Sequence, residues 1–165
     1  MTERMEVQRA IAATPATIFD VVRSPAGHVA IDASGMLMSA SGAPAERVGD
    51  RFTVHMDREA LNDFPLGLYD VDVEFVTFER DRELAWTIHG QIQPPIGHVY
   101  GYRLEPVEHP DGPVTLVTSY YDWSAIDPVW RDRDIFPIIP ESALRATLGI
   151  LARTVAPGLP RPILD

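Results

Sequence analysis

The most regular apolar pattern in the chain lies near its C-terminus, between Glu141 and Ala156. Four apolar residues recur there at intervals of four, three and four positions: Leu144, Leu148, Leu151 and Val155. That spacing places their side chains on one face of a helix. The pattern therefore predicts a helix over Glu141–Ala156 with one narrow apolar side.

Upstream of residue 125 the pattern changes to short segments in which apolar and polar residues alternate, as in half-buried strands. Seven strands are predicted: Met5–Ile11, Met36–Ala40, Phe52–Met56, Tyr69–Phe75, Leu84–Ile88, His98–Leu104 and Val114–Trp123. Strands of this length with short connections favour an antiparallel meander.

Two short helices are predicted between the first two strands. Thr14 is a suitable N-cap and Pro15 suits the first helical position of a helix that ends at Ser24, because proline needs no hydrogen-bond acceptor there. A second short helix is predicted over Pro25–Ile31.

This order of elements predicts one α+β domain, residues 1–165, in which a curved antiparallel sheet of six or seven strands wraps around the long C-terminal helix. The apolar face of the sheet must be covered, and only the terminal helix is long enough to cover it. Sheet twist leaves a gap between the concave face and the helix, and small molecules bind in gaps of this kind.

Composition narrows the function classes. A hydrophobic content of 45% excludes general disorder, and a net charge of −10 argues against nucleic acid and anionic membrane surfaces as partners. The absence of cysteine removes thiolate nucleophiles and cysteine metal sites. No apolar run suits a secretory signal or a membrane span, so we expect a cytoplasmic protein without membrane insertion.

Several phrases resemble the START-like superfamily, also called SRPBCC, and most closely its polyketide cyclase/dehydrase-type branch of actinobacterial character. They are ATPATIFDVVRSPAGHVAIDASGML, VGDRFTVHM, VDVEFVTFERDRELAWTI and TLVTSYYDWS. The resemblance covers most of the chain and implies the helix-grip (START-like) fold. The superfamily includes carriers, sensors, cyclases, oxygenase subunits and chaperone activators, so the fold does not define a reaction.

The predicted strand His98–Leu104 carries the most suggestive side chains. If Arg103 and Glu105 face water, then His98, Tyr100 and Tyr102 face the concave side. Their apolar rings and polar tips suit a pocket that orients a ring or a carbonyl group. His98 and Tyr100 are candidates for proton transfer and Tyr102 for ligand contact; the alternative is that all three fill the core.

The last predicted strand has two possible inward faces, one with Val117, Ser119, Tyr121 and Trp123 and the other with Leu116, Thr118, Tyr120 and Asp122. The resemblance favours the first face, which makes Tyr121 a candidate for proton transfer and Val117 and Trp123 candidate ligand contacts. Trp86 shares a face with Leu84 and Ile88, and is either a core residue or a further ligand contact.

Asp32 follows the second short helix in the sequence Asp32-Ala33-Ser34-Gly35, where related sequences resemble DGSG. A carboxylate at a cavity rim can act as a general base, but Asp and Ser also organise turns routinely. The five histidines show no metal-ligand spacing, and neither a GxSxG motif nor a phosphate-binding glycine loop is present. We therefore expect no metal and no cofactor.

The segment AIDPVWRDRDIFPIIP, residues 125–140, carries a large apolar load between prolines. Three interpretations of this segment are open: a lid over the cavity mouth, a rigid connection that leads into the terminal helix, and a homodimer contact. Phe136 is its candidate ligand contact, with Leu144 and Leu148 lining the helix side. The loop Leu61–Gly67 is the candidate opposite lip.

Three functions remain open at this point. The first is binding of a hydrophobic or aromatic small molecule, as a carrier, sensor or accessory factor, by a monomer or homodimer. The second is a polyketide cyclase/dehydratase-type enzyme, which needs mainly a shaped pocket and one acid or base. The third is a protein-interaction module of the chaperone-activator type.

Overall fold

The computed structural model describes residues 2–165, apart from the side chain of Ala60, and confirms the predicted α+β architecture. Within these residues seven strands form one antiparallel sheet: β1 Arg4–Ile11, β2 Leu37–Ser41, β3 Arg51–Asp57, β4 Leu68–Glu79, β5 Glu83–His89, β6 Val99–Val107 and β7 Val114–Asp122. The strand order is β1-β7-β6-β5-β4-β3-β2. Strands β2 to β7 are thus a meander, and β1 completes the sheet beside β7.

The helices are α1 Pro15–Val22, α2 Pro25–Ile31, α3 Pro128–Arg131 and α4 Glu141–Val155, and a 3-10 turn spans Glu59–Leu61. The Thr14 hydroxyl accepts a hydrogen bond from the Thr17 amide at 3.2 Å, so the predicted cap of α1 is present. Ser24 caps α2 in the same way through the Gly27 amide at 3.3 Å. Helix α3 was not predicted, because its proline-rich surroundings hide a helix of only four residues.

Helix α4 covers the sheet near β1 and β7 and also contacts α1 and α2. Its apolar stripe is sealed, since Leu144, Leu148 and Leu151 are all buried. Among residues 2–165, none of the helices has the length and the apolar content that a membrane crossing requires.

Strand β4 is longer than its alternating pattern predicts, because its register shifts between Phe75 and Thr77. One extra residue at such a bulge reverses the order of inward and outward side chains. Phe75 and Phe78 therefore both pack into the core, with ring centroids 6.3 Å apart, although they are separated by an odd number of positions.

Of the two tyrosines in β7, Tyr120 lies on the convex face of the sheet and Tyr121 points inward. Tyr120 lies outside, across Gly101 of β6, where an added Cβ would overlap its ring. The Tyr120 hydroxyl donates a hydrogen bond to Glu83 at 2.6 Å, and the Arg4 guanidinium lies 3.9 Å above its ring. Tyr121 consequently faces α4 and the core.

Candidate ligand-binding site

A row of aromatic side chains crosses the concave face of the sheet at one level. Strand register places Tyr121 beside Tyr100, Tyr100 beside Trp86 and Trp86 beside Phe75. Neighbouring ring centroids are 4.8, 6.1 and 6.0 Å apart, and the Trp86 and Tyr100 rings are nearly parallel at 15°. We call these four residues the aromatic wall.

Further rings extend the wall at both ends. Trp123 stacks on Tyr121 with centroids 5.5 Å apart, and Phe136 meets His98 edge-on at 6.2 Å. At the other end His28 of α2 lies 4.6 Å from Trp86. Because the Nε2 atom of His28 is 2.7 Å from the carbonyl oxygen of Val22, that atom carries a proton and donates the hydrogen bond.

His98 and Tyr121 form a buried polar pair beside the wall. The Nδ1 atom of His98 lies 2.7 Å from the Tyr121 hydroxyl, and the two residues are 4% and 0% exposed. Burial lowers the pKa of His98 to about 4, so its imidazole is neutral at pH 7. Burial also raises the pKa of Tyr121, with a further increase from Tyr100 and an opposing effect of the Ile138 amide.

The pair is therefore uncharged, and one hydrogen bond joins its two neutral groups. A neutral imidazole can accept a proton or donate a hydrogen bond, whereas a tyrosine with a raised pKa keeps its proton. This arrangement can orient a carbonyl or hydroxyl group of a bound molecule, and it can move a single proton between His98 and that molecule.

Two polar residues near Tyr100 were not identified in the sequence. Burial raises the pKa of Tyr100, an effect that the Arg58 guanidinium opposes and Tyr69 increases. Asp63 fixes Arg58 through two hydrogen bonds of 2.9 and 2.8 Å. Tyr69 could have been found, because it shares the inward alternation of Val71; Arg58 gives no such signal, since it lies between a strand and a turn.

The proposed contact residues differ in exposure. Four rings are half-buried at the edge of the core: Trp86, Tyr100, Trp123 and Phe136. The other five proposed residues on this side are buried: Tyr102, Tyr121, Val117, Leu144 and Leu148. Trp86 and Tyr100 are thus the accessible members of the wall, with Trp123 and Phe136 accessible beside it, and the buried side chains lie beneath them.

Asp32, a candidate general base by sequence, forms a turn in the structure. Its carboxylate accepts hydrogen bonds from the Ser34 amide and hydroxyl at 3.0 and 2.6 Å, and from the amides of Gly35 and Leu37 at 2.8 and 3.3 Å. These bonds shape the turn before β2. In the part of the chain that the structure describes, no hydrogen bond joins Asp32 to His98 or Tyr121.

Two open grooves lie elsewhere on the fold. One, of about 570 Å³, lies between the start of α1 and the β4–β5 turn. The other, of about 300 Å³, runs along β1 and residues 161–164. Neither groove is lined by a predicted site residue, so we base the candidate site on the aromatic wall. Residues 2–165 hold no group of three or more His, Asp or Glu side chains suited to a metal ion.

No model of a known protein family matches this chain, and no curated protein sequence matches it either. The fold, in contrast, is similar to that of many solved structures. One is a protein from Chromobacterium violaceum with 13% identity and a TM-score of 0.60, for which the match covers 95% of this chain and 99% of the other.

Two further similar structures have informative names. The Aha1 dimer from Colwellia psychrerythraea shows 16% identity and a TM-score of 0.57, with 94% of this chain and 98% of that chain covered. Truncated norcoclaurine synthase from Thalictrum flavum shows 17% identity and a TM-score of 0.57, with 94% of each chain covered. The likeness confirms the predicted helix-grip fold; at these identities it assigns no activity.

Proposed function

We propose that residues 1–165 act as one domain that binds a hydrophobic or aromatic small molecule against the aromatic wall, as a carrier, sensor or accessory factor. The observation that carries the proposal is a continuous row of rings whose two central members, Tyr100 and Trp86, are only half-buried. Stacked or edge-on ring pairs contribute about 0.5–1.5 kcal/mol each beyond the burial of their area. A planar ligand that contacts two or three of these rings gains that energy without new polar contacts.

The polar groups beside the wall favour a ligand with a carbonyl or hydroxyl substituent. His98 and Tyr121 present a neutral hydrogen-bonded pair, and the positive charge of Arg58 lowers the pKa of Tyr100 against the effect of burial. Since both His98 and Tyr121 are uncharged, a neutral ligand avoids the cost of burying an unpaired charge beside them.

Access to the wall depends on two apolar segments, which we call the lips. The first lip, residues 61–68, exposes Leu61, Phe64 and Leu68, and the second, residues 129–138, exposes Val129, Ile135 and Ile138. The second lip also brings the Phe136 ring to His98. Because rings now occupy much of the space between sheet and helix, we propose that the lips separate when a ligand enters.

The thermal unfolding midpoint in the presence of 2-naphthol, a planar neutral ligand with one hydroxyl group, tests this proposal. We expect the midpoint to rise with ligand concentration, because a ligand that binds only the folded state stabilises it. Tyr100→Leu should reduce the rise, whereas Tyr120→Leu, a matched change on the convex face of the same sheet, should retain it. No rise with 2-naphthol or with larger polycyclic compounds contradicts the proposal.

A second candidate function is a polyketide cyclase/dehydratase-type enzyme, favoured by the buried His98–Tyr121 pair and by the sequence resemblance described above. The neutral His98 imidazole would accept a proton from the substrate, with Tyr121 and Tyr100 donating hydrogen bonds to its carbonyl oxygens. Asp32 is left out of this scheme because its oxygens are already engaged in a turn. Turnover of an aromatic polyketide precursor that persists in His98→Gln, Tyr100→Phe and Tyr121→Phe variants would remove these roles.

A third candidate, an interaction module of the chaperone-activator type, is favoured by the exposed apolar residues of the second lip, Val129, Ile135 and Ile138. The similar Aha1 structure is a dimer, and the same surface suits a homodimer of this chain. Light scattering of the wild type and of an Ile135→Ser/Ile138→Ser variant distinguishes these cases. A dimer that dissociates in the variant assigns the second lip to self-association.

A further inference from the structure

Three polar side chains on the convex face of the sheet form a linear relay. The Ser41 hydroxyl oxygen lies 3.1 Å from Nε2 of His55, and Nδ1 of His55 lies 2.8 Å from Oδ1 of Asp70. This group is on the opposite side of the sheet from the aromatic wall, so it is independent of the proposed ligand site.

Strand register explains why these residues meet. His55 of β3 is directly opposite Asp70 of β4, and β2 places Ser39 opposite His55 with Ser41 two residues further on. Alternation directs all of these side chains outward, since Val54 and Val71, their neighbours in sequence, pack on the core side. The three residues are separated by 14 and 15 positions in the sequence, and they match no short catalytic motif.

The chemistry of the three groups fixes the direction of the relay. An ionised carboxylate can only accept hydrogen bonds, so Nδ1 of His55 must carry the proton shared with Asp70. In a neutral imidazole the Nε2 atom is then the acceptor, and the Ser41 hydroxyl donates to it. This is the order of donors and acceptors in Ser-His-Asp hydrolases, which are recognised by geometry and not by sequence position.

We propose that Ser41, His55 and Asp70 form a second, catalytic site that hydrolyses activated carboxylic esters such as aryl acetates. The Ser41 oxygen attacks the ester carbonyl carbon while its proton passes to Nε2 of His55. That proton leaves with the phenol when the ester bond breaks, and an acyl-Ser41 ester remains. Water then attacks the acyl group, gives one proton to His55, and releases the carboxylic acid as Ser41 regains a proton.

The position of the relay limits the substrate class. Strand β2 is at the end of the sheet, so a substrate can reach Ser41 from the sheet edge. The His55 and Asp70 side chains are 41% and 62% exposed, so water weakens their mutual attraction. Such a site needs a good leaving group and an acyl group small enough to approach an open sheet face.

A fluorophosphonate probe tests the site directly, because the Ser41 oxygen would displace fluoride from phosphorus and leave a stable phosphonate ester. We expect intact-protein mass spectrometry to show one adduct, and peptide mapping to assign it to Ser41. Hydrolysis of 4-nitrophenyl acetate should fall about tenfold or more in Ser41→Ala and in His55→Gln. Ser39→Ala, a matched change on the same exposed face of β2, should retain both adduct and rate.

Two results would overturn the proposal. One is the absence of a Ser41 adduct after exposure of the folded protein to excess probe. The other is a hydrolysis rate that is unchanged in Ser41→Ala but lost in His55→Gln, which would mean that the imidazole acts alone. Circular dichroism of each variant shows that the sheet is intact, as expected for substitutions of solvent-facing side chains.

Discussion

At the scale of single residues, the hydrogen bond between His98 and Tyr121 holds the polar end of the candidate site together. Both groups are buried, and a buried polar atom that loses its partner costs about 1–3 kcal/mol. The bond therefore fixes the His98 ring in place as well as defining the polar end of the aromatic wall. Its removal should affect stability more than the removal of a neighbouring hydroxyl.

Tyr121→Phe should lower the free energy of unfolding by about 1–3 kcal/mol, because it leaves Nδ1 of His98 without its partner at 2.7 Å. Tyr100→Phe removes a hydroxyl from the adjacent ring of the same wall and should cost less. Urea denaturation of both variants measures the difference. Equal losses of unfolding free energy in the two variants would show that the His98–Tyr121 hydrogen bond contributes no more to stability than the Tyr100 hydroxyl does.

The two buried histidines should make stability depend on pH. Burial lowers the pKa of His28 and of His98 to about 4, so the unfolded chain, with an ordinary histidine pKa near 6.5, binds these protons more readily. The contribution of the two neutral histidines to the free energy of unfolding is complete above about pH 6.5, and it is lost as the pH falls toward 4. It amounts to roughly 3 kcal/mol for each histidine.

The free energy of unfolding of the wild type, measured between pH 7 and pH 4, should therefore decrease steeply with acidification. Two histidines contribute to this decrease, and His98→Phe should remove the share that is due to His98, about half of their combined effect. This holds whatever the variant's stability at pH 7. A pH dependence that is identical in the wild type and in the variant would show that His98 is not the buried, neutral group described here.

At the scale of elements, the close approach of α1 and α2 depends on Gly27. An added Cβ at this position would overlap the carbonyl oxygen of Val21, which is backbone and cannot rotate away. Gly149, within α4, has room, since the nearest atom to an added Cβ is Nη1 of Arg9 at 3.9 Å. The two glycines are both helical but have opposite packing environments.

Gly27→Ala should therefore destabilise the protein by about 3 kcal/mol through overpacking. Gly149→Ala should stabilise it by roughly 0.5–1 kcal/mol, because alanine favours a helix interior over glycine. Thermal or urea unfolding of the two variants provides the comparison. A loss of stability in Gly149→Ala would mean that α4 lies closer to β1 than described.

The elements also show how far the sequence could predict the structure. The alternation over His98–Leu104 predicted that His98 and Tyr100 share the inward face, because Arg103 and Glu105 mark the opposite face as polar. In β7 both faces are apolar and buried, so the inward position of Tyr121 followed from the family resemblance and not from the pattern. The bulge in β4 and the relay of Ser41, His55 and Asp70 depend on register between strands, which no local pattern encodes.

At the scale of the whole molecule, the sheet separates two sets of chemistry. Its concave face, covered by α4, carries the aromatic wall and the uncharged His98–Tyr121 pair. Its convex face is open to solvent around β2, β3 and β4, where it carries the relay that begins at Ser41. Aromatic contacts dominate the concave region, and hydrogen bonds between exposed polar groups dominate the relay. Substitutions in one region should therefore leave the other intact.

The most direct test of the central claim is a ¹H–¹⁵N correlation spectrum of the protein titrated with 2-naphthol. We expect shift changes at the amides of residues 98–102, 119–123 and 136–139, which surround the half-buried rings and the second lip. Changes confined to the outer grooves, around residues 14–16 and 104–106 or residues 161–164, would contradict the account, as would a spectrum unchanged by millimolar ligand.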